Sequence, residues 1–145
     1  MVLKKISKFE LERLVKIAYS GDSDLLEFYW GENLSLQEAV DLTMSLINQV
    51  ANEVDIECYS VLNEDEEIGY IVKFPNNLYS FSININHRTK QNLIEFWERI
   101  KEVMEDGFIC MLYEQNKRAI KWLERCGMKI VQGVENNCVT LLKIK

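Results

Sequence analysis

Apolar residues recur along this chain with two different periods, and the change of period predicts where helices give way to strands. In the first third they recur every three or four positions, the period of a helix that buries one face. Residues 7–10 and 35–38 each have Ser followed three positions later by Glu, the capping-box spacing that begins a helix. The first predicted helix ends at Gly21, and the second carries an apolar stripe over 36–54. Residues 2–6 precede both and predict a short first strand.

From residue 56 onward the apolar period is two, which is the period of a strand with one buried face. Three such stretches, 56–62, 68–74 and 78–85, are separated by short polar turns. The second stretch is predicted to place four residues on one face: Ile68, Tyr70, Val72 and Phe74. The third has the clearest alternation, in which polar residues separate Tyr79, Phe81, Ile83 and Ile85. Consecutive strands joined by short turns form an antiparallel meander.

The last third alternates between the two periods. A helix is predicted over about 89–105, followed by the continuous apolar run 108–113, which is typical of a buried central strand. A further helix over 116–126 comes next. The chain ends with a predicted hairpin whose strands are 128–131 and 138–144, around a turn that includes Gly133.

The resulting order is β-α-α-β-β-β-α-β-α-β-β, which predicts an α+β protein with a mixed sheet. The central sheet is expected to be mostly antiparallel, with helices on both faces. One β-α-β unit predicts a single parallel pair between strands 78–85 and 108–113. Since domains typically contain about 100–150 residues, we expect residues 1–145 to form a single domain.

Composition and charge narrow the possible functions. The chain has six Gly and one Pro, and no two Gly are close enough to form a glycine-rich phosphate loop. It has 17 Lys and Arg against 23 Asp and Glu, a net charge of −6. A general nucleic-acid binder needs a basic field, so we expect no nucleic-acid partner. Four basic residues form either a local basic patch or a solvated helix face: Lys117, Arg118, Lys121 and Arg125.

The four cysteines predict neither a metal site nor a disulfide framework. They have no C-x-x-C spacing, and the chain has a single His, so we expect no metal. Reduced thiols in apolar stretches are typical of the cytoplasm, which is the expected location. Residues 1–8 lack the apolar region of a signal peptide. No segment has the roughly 20 apolar residues of a membrane span, so we expect no membrane association.

Residues 116–128 carry the most specific motif. Asn116 is followed three residues later by Ala119-Ile120, and Gly127 is followed by the apolar Met128. The Asn can cap the helix, and the Gly can take the positive φ that ends it. This segment resembles the corresponding motif of the GNAT (Gcn5-related N-acetyltransferase) family. The order of elements resembles the GNAT fold over nearly the whole chain, so the sequence is identified as a divergent member.

The resemblance implies that acetyl-CoA is the co-substrate. In the family, the strands matching 79–85 and 109–113 splay apart, and the pantetheine arm pairs with backbone groups of the first strand. The pyrophosphate then lies at the N-terminus of the following helix, where free amides and the helix dipole attract anions. The residues that the resemblance places around the cofactor are Ile83, Asn84, Ile85, Arg88, Thr89, Lys90, Asn92 and Asn116.

The chain departs from the family at two places. The family's glycine-containing pyrophosphate loop corresponds to residues 87–93, which contain no Gly. Arg88, Thr89 and Lys90 could supply compensating contacts to phosphate. Alternatively, Thr89 only caps the helix while the two cations are solvated. The second departure is Leu123, which stands where many members have a Tyr as general acid.

The sequence assigns no catalytic residue. Possible acids are Tyr70, Tyr79 and Tyr113, provided that they reach the space between the splayed strands. Possible bases are Glu57, Glu67 and His87, although Glu67 also suits a solvated turn and His87 suits contact with an anion or plain exposure. The acidic turn 64–67 has two interpretations: its charges attract a cationic amine substrate, or they keep an exposed hairpin tip soluble.

Two functions follow from the resemblance. The first is an acetyl-CoA-dependent N-acetyltransferase that moves an acetyl group to an unidentified primary amine by direct attack on the thioester. The alternative is a catalytically inactive GNAT-fold protein that acts as an acyl-CoA-binding or protein-interaction module. The aromatic stretch 28–30 suits an acceptor pocket, a homodimer contact or ordinary packing.

Overall fold

The computed structural model describes residues 1–51, 55–105, 107–135 and 138–144. Within these ranges the strands and α-helices follow the predicted order. They are β1 (Val2–Ile6), α1 (Leu11–Tyr19), α2 (Leu36–Ala51), β2 (Glu57–Asn63), β3 (Glu66–Lys73), β4 (Tyr79–Ile83), α3 (Lys90–Val103), β5 (Gly107–Tyr113), α4 (Lys117–Arg125), β6 (Lys129–Glu135) and β7 (Cys138–Ile144). Val54 and residues 136–137, which the sequence assigned to a helix stripe and a turn, lie outside the described residues.

The strands form two antiparallel sheets, one in the order β1-β2-β3-β4 and the other in the order β5-β7-β6. A parallel bridge between Leu78 and Ile109 joins β4 to β5. The predicted class is therefore confirmed, and the predicted parallel pair is reduced to this bridge.

Helices cover both faces of the sheets. On one face, α3 and α4 pack through residues such as Phe96 and Leu123 against Phe108 of β5. On the other face, α1 and α2 pack through residues such as Leu14 and Val40. The prediction that helices cover both faces of the sheet is confirmed. In the described parts of the chain, no helix has the length and apolar character needed to cross a bilayer.

The predicted helix ends are formed by local hydrogen bonds. The Ser35 amide donates to Glu38 Oε1, and the Glu38 amide donates to Ser35 Oγ, each at 3.1 Å, which is a reciprocal capping box. At the other predicted box, the Ser7 amide donates to Glu10 Oε2 at 3.2 Å. There the chain first makes a short 3-10 turn before α1 begins. The turn after α1 is made by Gly21, with φ +78°.

The prediction that β3 has one apolar face is wrong at Ile68. Val61 of β2 pairs with Gly69, whereas Leu62 pairs with Glu67, so Ile68 is an extra residue in β3. Such a bulge reverses the side on which the following side chains lie. As a result Ile68 packs with the α3 and α4 face, while Tyr70 packs with α1 and α2.

The predictions for the last three strands also need correction. The run 108–113 was expected to be a fully buried central strand, yet Met111 is 58% exposed. Successive side chains of β5 alternate between two faces, and Phe108 and Cys110 are buried on the face opposite Met111, so only one face of this strand is fully covered. Gly133, expected in the terminal turn, lies inside β6.

Candidate functional site

The candidate site is the wedge between β4 and β5. The two parallel strands meet at the Leu78–Ile109 bridge, and the structure gives no further pairing between their described residues. They therefore separate toward their C-terminal ends, Ile83 and Tyr113. The splayed strands expected from the resemblance are present. We call the end near Ile83 and Tyr113 the wide end of the wedge.

The backbone of β4 presents hydrogen-bonding groups to this wedge. The Asn84 amide donates to the Ile68 carbonyl at 2.7 Å, so the backbone groups of Asn84 point toward β3. Because successive residues of a strand point their amides and carbonyls to opposite sides, those of Ile83 point away from β3. The Ile83 carbonyl thus lies on the wedge side, where it accepts a hydrogen bond from Arg88 Nε at 2.9 Å.

Arg88 is held by a second contact that the sequence did not reveal. Its Nη2 lies 2.9 Å from Oδ2 of Asp22, a carboxylate in the turn after α1 that is only 2% exposed. The other oxygen, Oδ1, accepts a hydrogen bond from the Leu25 amide at 3.2 Å. A buried carboxylate requires such partners. The only local signal was an Asp after the Gly that ends a helix, which does not identify its distant partner.

The N-terminus of α3 follows directly, and two of its backbone amides make no hydrogen bond within the described part of the chain. Thr89 is the N-cap, and its hydroxyl accepts from the Asn92 amide at 3.2 Å. The Asn92 side-chain amide donates to the His87 carbonyl at 2.9 Å. No acceptor for the amides of Lys90 and Gln91 is present among the described residues. Two free amides at the start of a 14-residue helix can bind an anion, even though the loop contains no glycine.

Asn84 and Ile85 do not continue the strand as predicted. The Asn84 side-chain amide donates to the Ile17 and Ser20 carbonyls at 2.9 and 3.1 Å, which ties the end of β4 to the end of α1. Its Oδ1 accepts from the Asn86 amide at 2.9 Å. Ile85 lies in the short 3-10 turn that this bond begins. The strand therefore ends at Ile83, and the Asn84 side chain makes its hydrogen bonds within the protein.

Asn116 and Gly127 bound α4 as the motif predicted. The Asn116 side-chain oxygen accepts from the Ala119 amide at 3.4 Å, so Asn116 is the N-cap. Gly127 has φ +95°, and the Met128 amide donates to the Leu123 carbonyl at 3.0 Å, which completes a Schellman motif. Since α3 and α4 follow parallel strands, both helices begin at the wide end of the wedge.

Among the three candidate acids, only Tyr113 lies at the wide end. Tyr70 is buried and hydrogen-bonded to the Tyr19 hydroxyl at 3.1 Å. The Tyr79 hydroxyl donates to the Val103 carbonyl at 3.2 Å. Tyr113 ends β5 and packs on Trp30, with ring centroids 5.0 Å apart.

Burial raises the pKa of Tyr113 to about 12, with smaller contributions from Cys138 and Tyr19. Its phenol is therefore protonated at neutral pH. A thiol ordinarily has a pKa of about 8.5, so proton transfer from this phenol to a thiolate is unfavourable. Tyr113 in this state is a hydrogen-bond donor and a weak acid.

The candidate bases are engaged in other contacts. Glu67 forms an ion pair with Arg13 and accepts from the Ser60 hydroxyl at 2.9 Å. Chiefly because of the hydrogen bond from Arg13, the pKa of the Glu67 carboxyl is lowered, which makes it a weaker base. Glu57 accepts from the Tyr59 hydroxyl at 2.9 Å, and His87 Nε2 lies 3.6 Å from Glu66. In the described part of the chain, no group of three potential metal ligands comes together.

The whole fold is similar to that of known acetyltransferases. No protein-family model matches the sequence, and no curated protein matches it either. An acetyltransferase from Thermus thermophilus superposes with a TM-score of 0.71 at 15% identity, over 100% of this chain and 98% of that chain. The aminoglycoside acetyltransferase AAC(6')-Ib in complex with coenzyme A gives 0.67 at 14%, over 99% and 94%. The GNAT domain of S. lividans PAT gives 0.62 at 17%, over 99% and 89%.

At these sequence identities the similarity defines the fold. The chain has the GNAT acetyltransferase fold, as residues 116–128 and the order of elements predicted.

Proposed function

We propose that the protein is an N-acetyltransferase that transfers an acetyl group from acetyl-CoA to a primary amine. The observation that carries this proposal is the pair of backbone amides of Lys90 and Gln91, which follow β4 at the wide end of the wedge and have no acceptor among the residues that the structure describes. They suit a pyrophosphate, while the wedge-side backbone of β4 suits a pantetheine arm. A structural neighbour, AAC(6')-Ib, is described in complex with coenzyme A, which supports the same co-substrate.

The residues that we propose around the cofactor are those expected from the sequence. The contacts of each residue indicate which role it has. Ile83 offers its backbone, and Arg88 and Lys90 offer charge. Thr89, Asn92 and Asn116 hold the two helix N-termini in place through their side chains. Asn84 and Ile85 shape the turn between β4 and α3.

The reaction itself requires little from the side chains. A neutral amine attacks the thioester carbonyl, the new C–N bond forms, the C–S bond breaks, and the proton lost by the amine balances the one gained by the thiolate. Polarisation of the carbonyl by backbone amides is often the largest contribution, and a dedicated acid or base adds about 10²- to 10⁴-fold. Leu123 is fully buried and contributes no proton.

The alternative function is an inactive GNAT-fold protein that binds acyl-CoA or another protein. It is favoured by Leu123 at the usual Tyr position and by the engagement of Glu67 with Arg13 and Ser60. We also propose a cytoplasmic location, since all four cysteines are free thiols and two of them are buried.

Acetyl-CoA should stabilise the folded protein. At 100 times the dissociation constant, a ligand that binds only the folded state adds about 2.7 kcal/mol to the free energy of unfolding. We expect a rise of the thermal midpoint with acetyl-CoA and release of free thiol with a panel of primary amines. Stabilisation without thiol release would favour the acyl-CoA-binding alternative. No stabilisation at millimolar acetyl-CoA would refute the enzyme and the acyl-CoA-binding module, and would leave the protein-interaction module.

Replacing Lys90 with proline tests whether the free helix amides bind the pyrophosphate. Proline is tolerated at the first position of a helix but has no N–H, and Thr89 already has the extended conformation that proline requires before it. We expect Lys90→Pro to weaken acetyl-CoA binding by at least about tenfold, since a hydrogen bond to a charged group contributes roughly 1.5–3 kcal/mol.

The matched control is Lys90→Ala, which removes the side chain and keeps the amide. Isothermal titration of both variants separates the two contributions. If Lys90→Ala weakens binding as much as Lys90→Pro, the side chain binds the cofactor and the amide does not.

A further inference from the structure

Asp22 is a buried carboxylate that forms an ion pair with Arg88 beside the wide end of the wedge. It occupies the turn after α1, it is 2% exposed, and its two oxygens accept from Arg88 Nη2 and the Leu25 amide. An ion pair in such a position costs desolvation, so it is weak evidence of a purely stabilising role. The position of this buried carboxylate next to the candidate site therefore suggests that it has a role in ligand binding.

The ion pair with Asp22 helps to fix the orientation of the Arg88 guanidinium. Arg88 is attached at two points, with Nε on the Ile83 carbonyl and Nη2 on Asp22. A guanidinium has five N–H donors, of which these contacts use two. Arg88 is 31% exposed, so a ligand can reach it. An arginine that is already held in one orientation loses less conformational entropy when it binds an anion.

The polarity of the pair also favours an anion in the wedge. Asp22 is almost fully buried whereas Arg88 is partly exposed, so the positive end of the pair is the end that solvent can reach. The chain next to Arg88 is Thr89, the N-cap of α3, followed by the free amides of Lys90 and Gln91. A fixed cation and free helix amides are thus adjacent along the chain, and both suit phosphate oxygens.

We propose that Asp22 is a positioning residue, which orients the Arg88 guanidinium for the pyrophosphate of acetyl-CoA. This inference rests on the proposed function, because it assumes that the wedge binds the cofactor. Asp22 touches no ligand itself; it acts through Arg88. In the sequence analysis, Arg88 is a candidate phosphate contact only because of the family resemblance. The ion pair with Asp22 explains how the Arg88 guanidinium is held in place before the cofactor binds.

The test compares acetyl-CoA with S-acetylpantetheine, which has the same thioester arm and no pyrophosphate. Asp22→Asn keeps the size of the side chain and an acceptor for the Leu25 amide, and removes the charge. We expect its affinity for acetyl-CoA to fall about tenfold and its affinity for S-acetylpantetheine to stay within twofold, both measured by isothermal titration. An equal loss for both ligands, or no loss for either, would overturn the proposal.

A double-mutant cycle tests whether Asp22 acts through Arg88. Once Arg88 is replaced by Met, Asp22→Asn should cause no further loss of acetyl-CoA affinity. A tenfold loss that persists in the Arg88→Met background would contradict the proposal. Circular dichroism and the thermal midpoint of each variant report whether it is folded.

Arg88→Lys provides a second variant in case Asp22→Asn does not fold. It leaves a cation beside the buried carboxylate but removes the two-point attachment. We expect weaker acetyl-CoA binding and unchanged S-acetylpantetheine binding, and unchanged affinity for both would overturn the proposal. The wild-type protein separates this inference from the proposed function. If it binds neither compound, the proposed function is wrong; if it binds acetyl-CoA and the Asp22→Asn and Arg88→Lys variants bind it equally well, only the role of Asp22 and Arg88 is wrong.

Discussion

Replacing Gly69 with alanine should lower the free energy of unfolding by about 3 kcal/mol, the upper part of the range for overpacked sites. A Cβ atom at this position would lie 2.1 Å from the Ser82 carbonyl oxygen and 2.8 Å from Ile83 Cα. Both are backbone atoms of β4, so the clash cannot be relieved by rotating a side chain. The strand has to move, and it carries the Ile83 carbonyl that lines the wedge.

Gly133→Ala is the matched control for this prediction. Gly133 also lies in a strand, but a Cβ added there meets no atom within 4 Å. We expect a change of less than about 1 kcal/mol, because alanine only reduces the freedom of the unfolded chain. Denaturant unfolding gives both values. Equal stabilities for the two variants would mean that β4 does not pass Gly69 as closely as described.

The sequence predicted the features that depend on neighbouring residues. The capping box of Ser35 and Glu38, the cap by Asn116 and the positive φ of Gly127 are each formed by residues within a few positions of one another. Such local signals, combined with the change of apolar period, were sufficient for the order of elements. That order led to the fold, and the fold places β4, β5 and the two helix N-termini together.

Features that depend on distant contacts were not predictable in this way. The alternation through Ile85 gave no sign that β4 ends at Ile83, after which the Asn84 side chain binds the Ile17 and Ser20 carbonyls at the end of α1. The bulge at Ile68 is a matter of how β3 pairs with β2, which lies earlier in the chain, and the apolar alternation of β3 does not show it. The partner of Arg88 was hidden for the same reason, since Asp22 meets it only after α1 packs beside β4.

Phe108→Ala should cause the largest loss of stability, about 4 kcal/mol, within the range for deleting a buried aromatic ring. Phe108 is fully buried in β5, and its ring packs against three others. The ring centroids of Tyr79, Phe81 and Trp97 lie 4.5, 5.6 and 5.7 Å away. Tyr79 and Phe81 belong to β4, so this cluster joins the two strands next to the Leu78–Ile109 bridge, where backbone pairing is minimal.

The control is Phe9→Ala, which deletes the same ring at a position that is 92% exposed. We expect a change within about 0.5 kcal/mol, as for most surface substitutions. Chemical denaturation followed by tryptophan fluorescence measures both, since Trp97 contacts Phe108 directly. Side-chain packing, rather than backbone pairing, holds β4 and β5 together beyond the Leu78–Ile109 bridge. The loss of free energy of unfolding for Phe108→Ala should therefore exceed that for Gly69→Ala. A loss below about 2 kcal/mol would show that the strands on either side of the wedge are held together without this cluster.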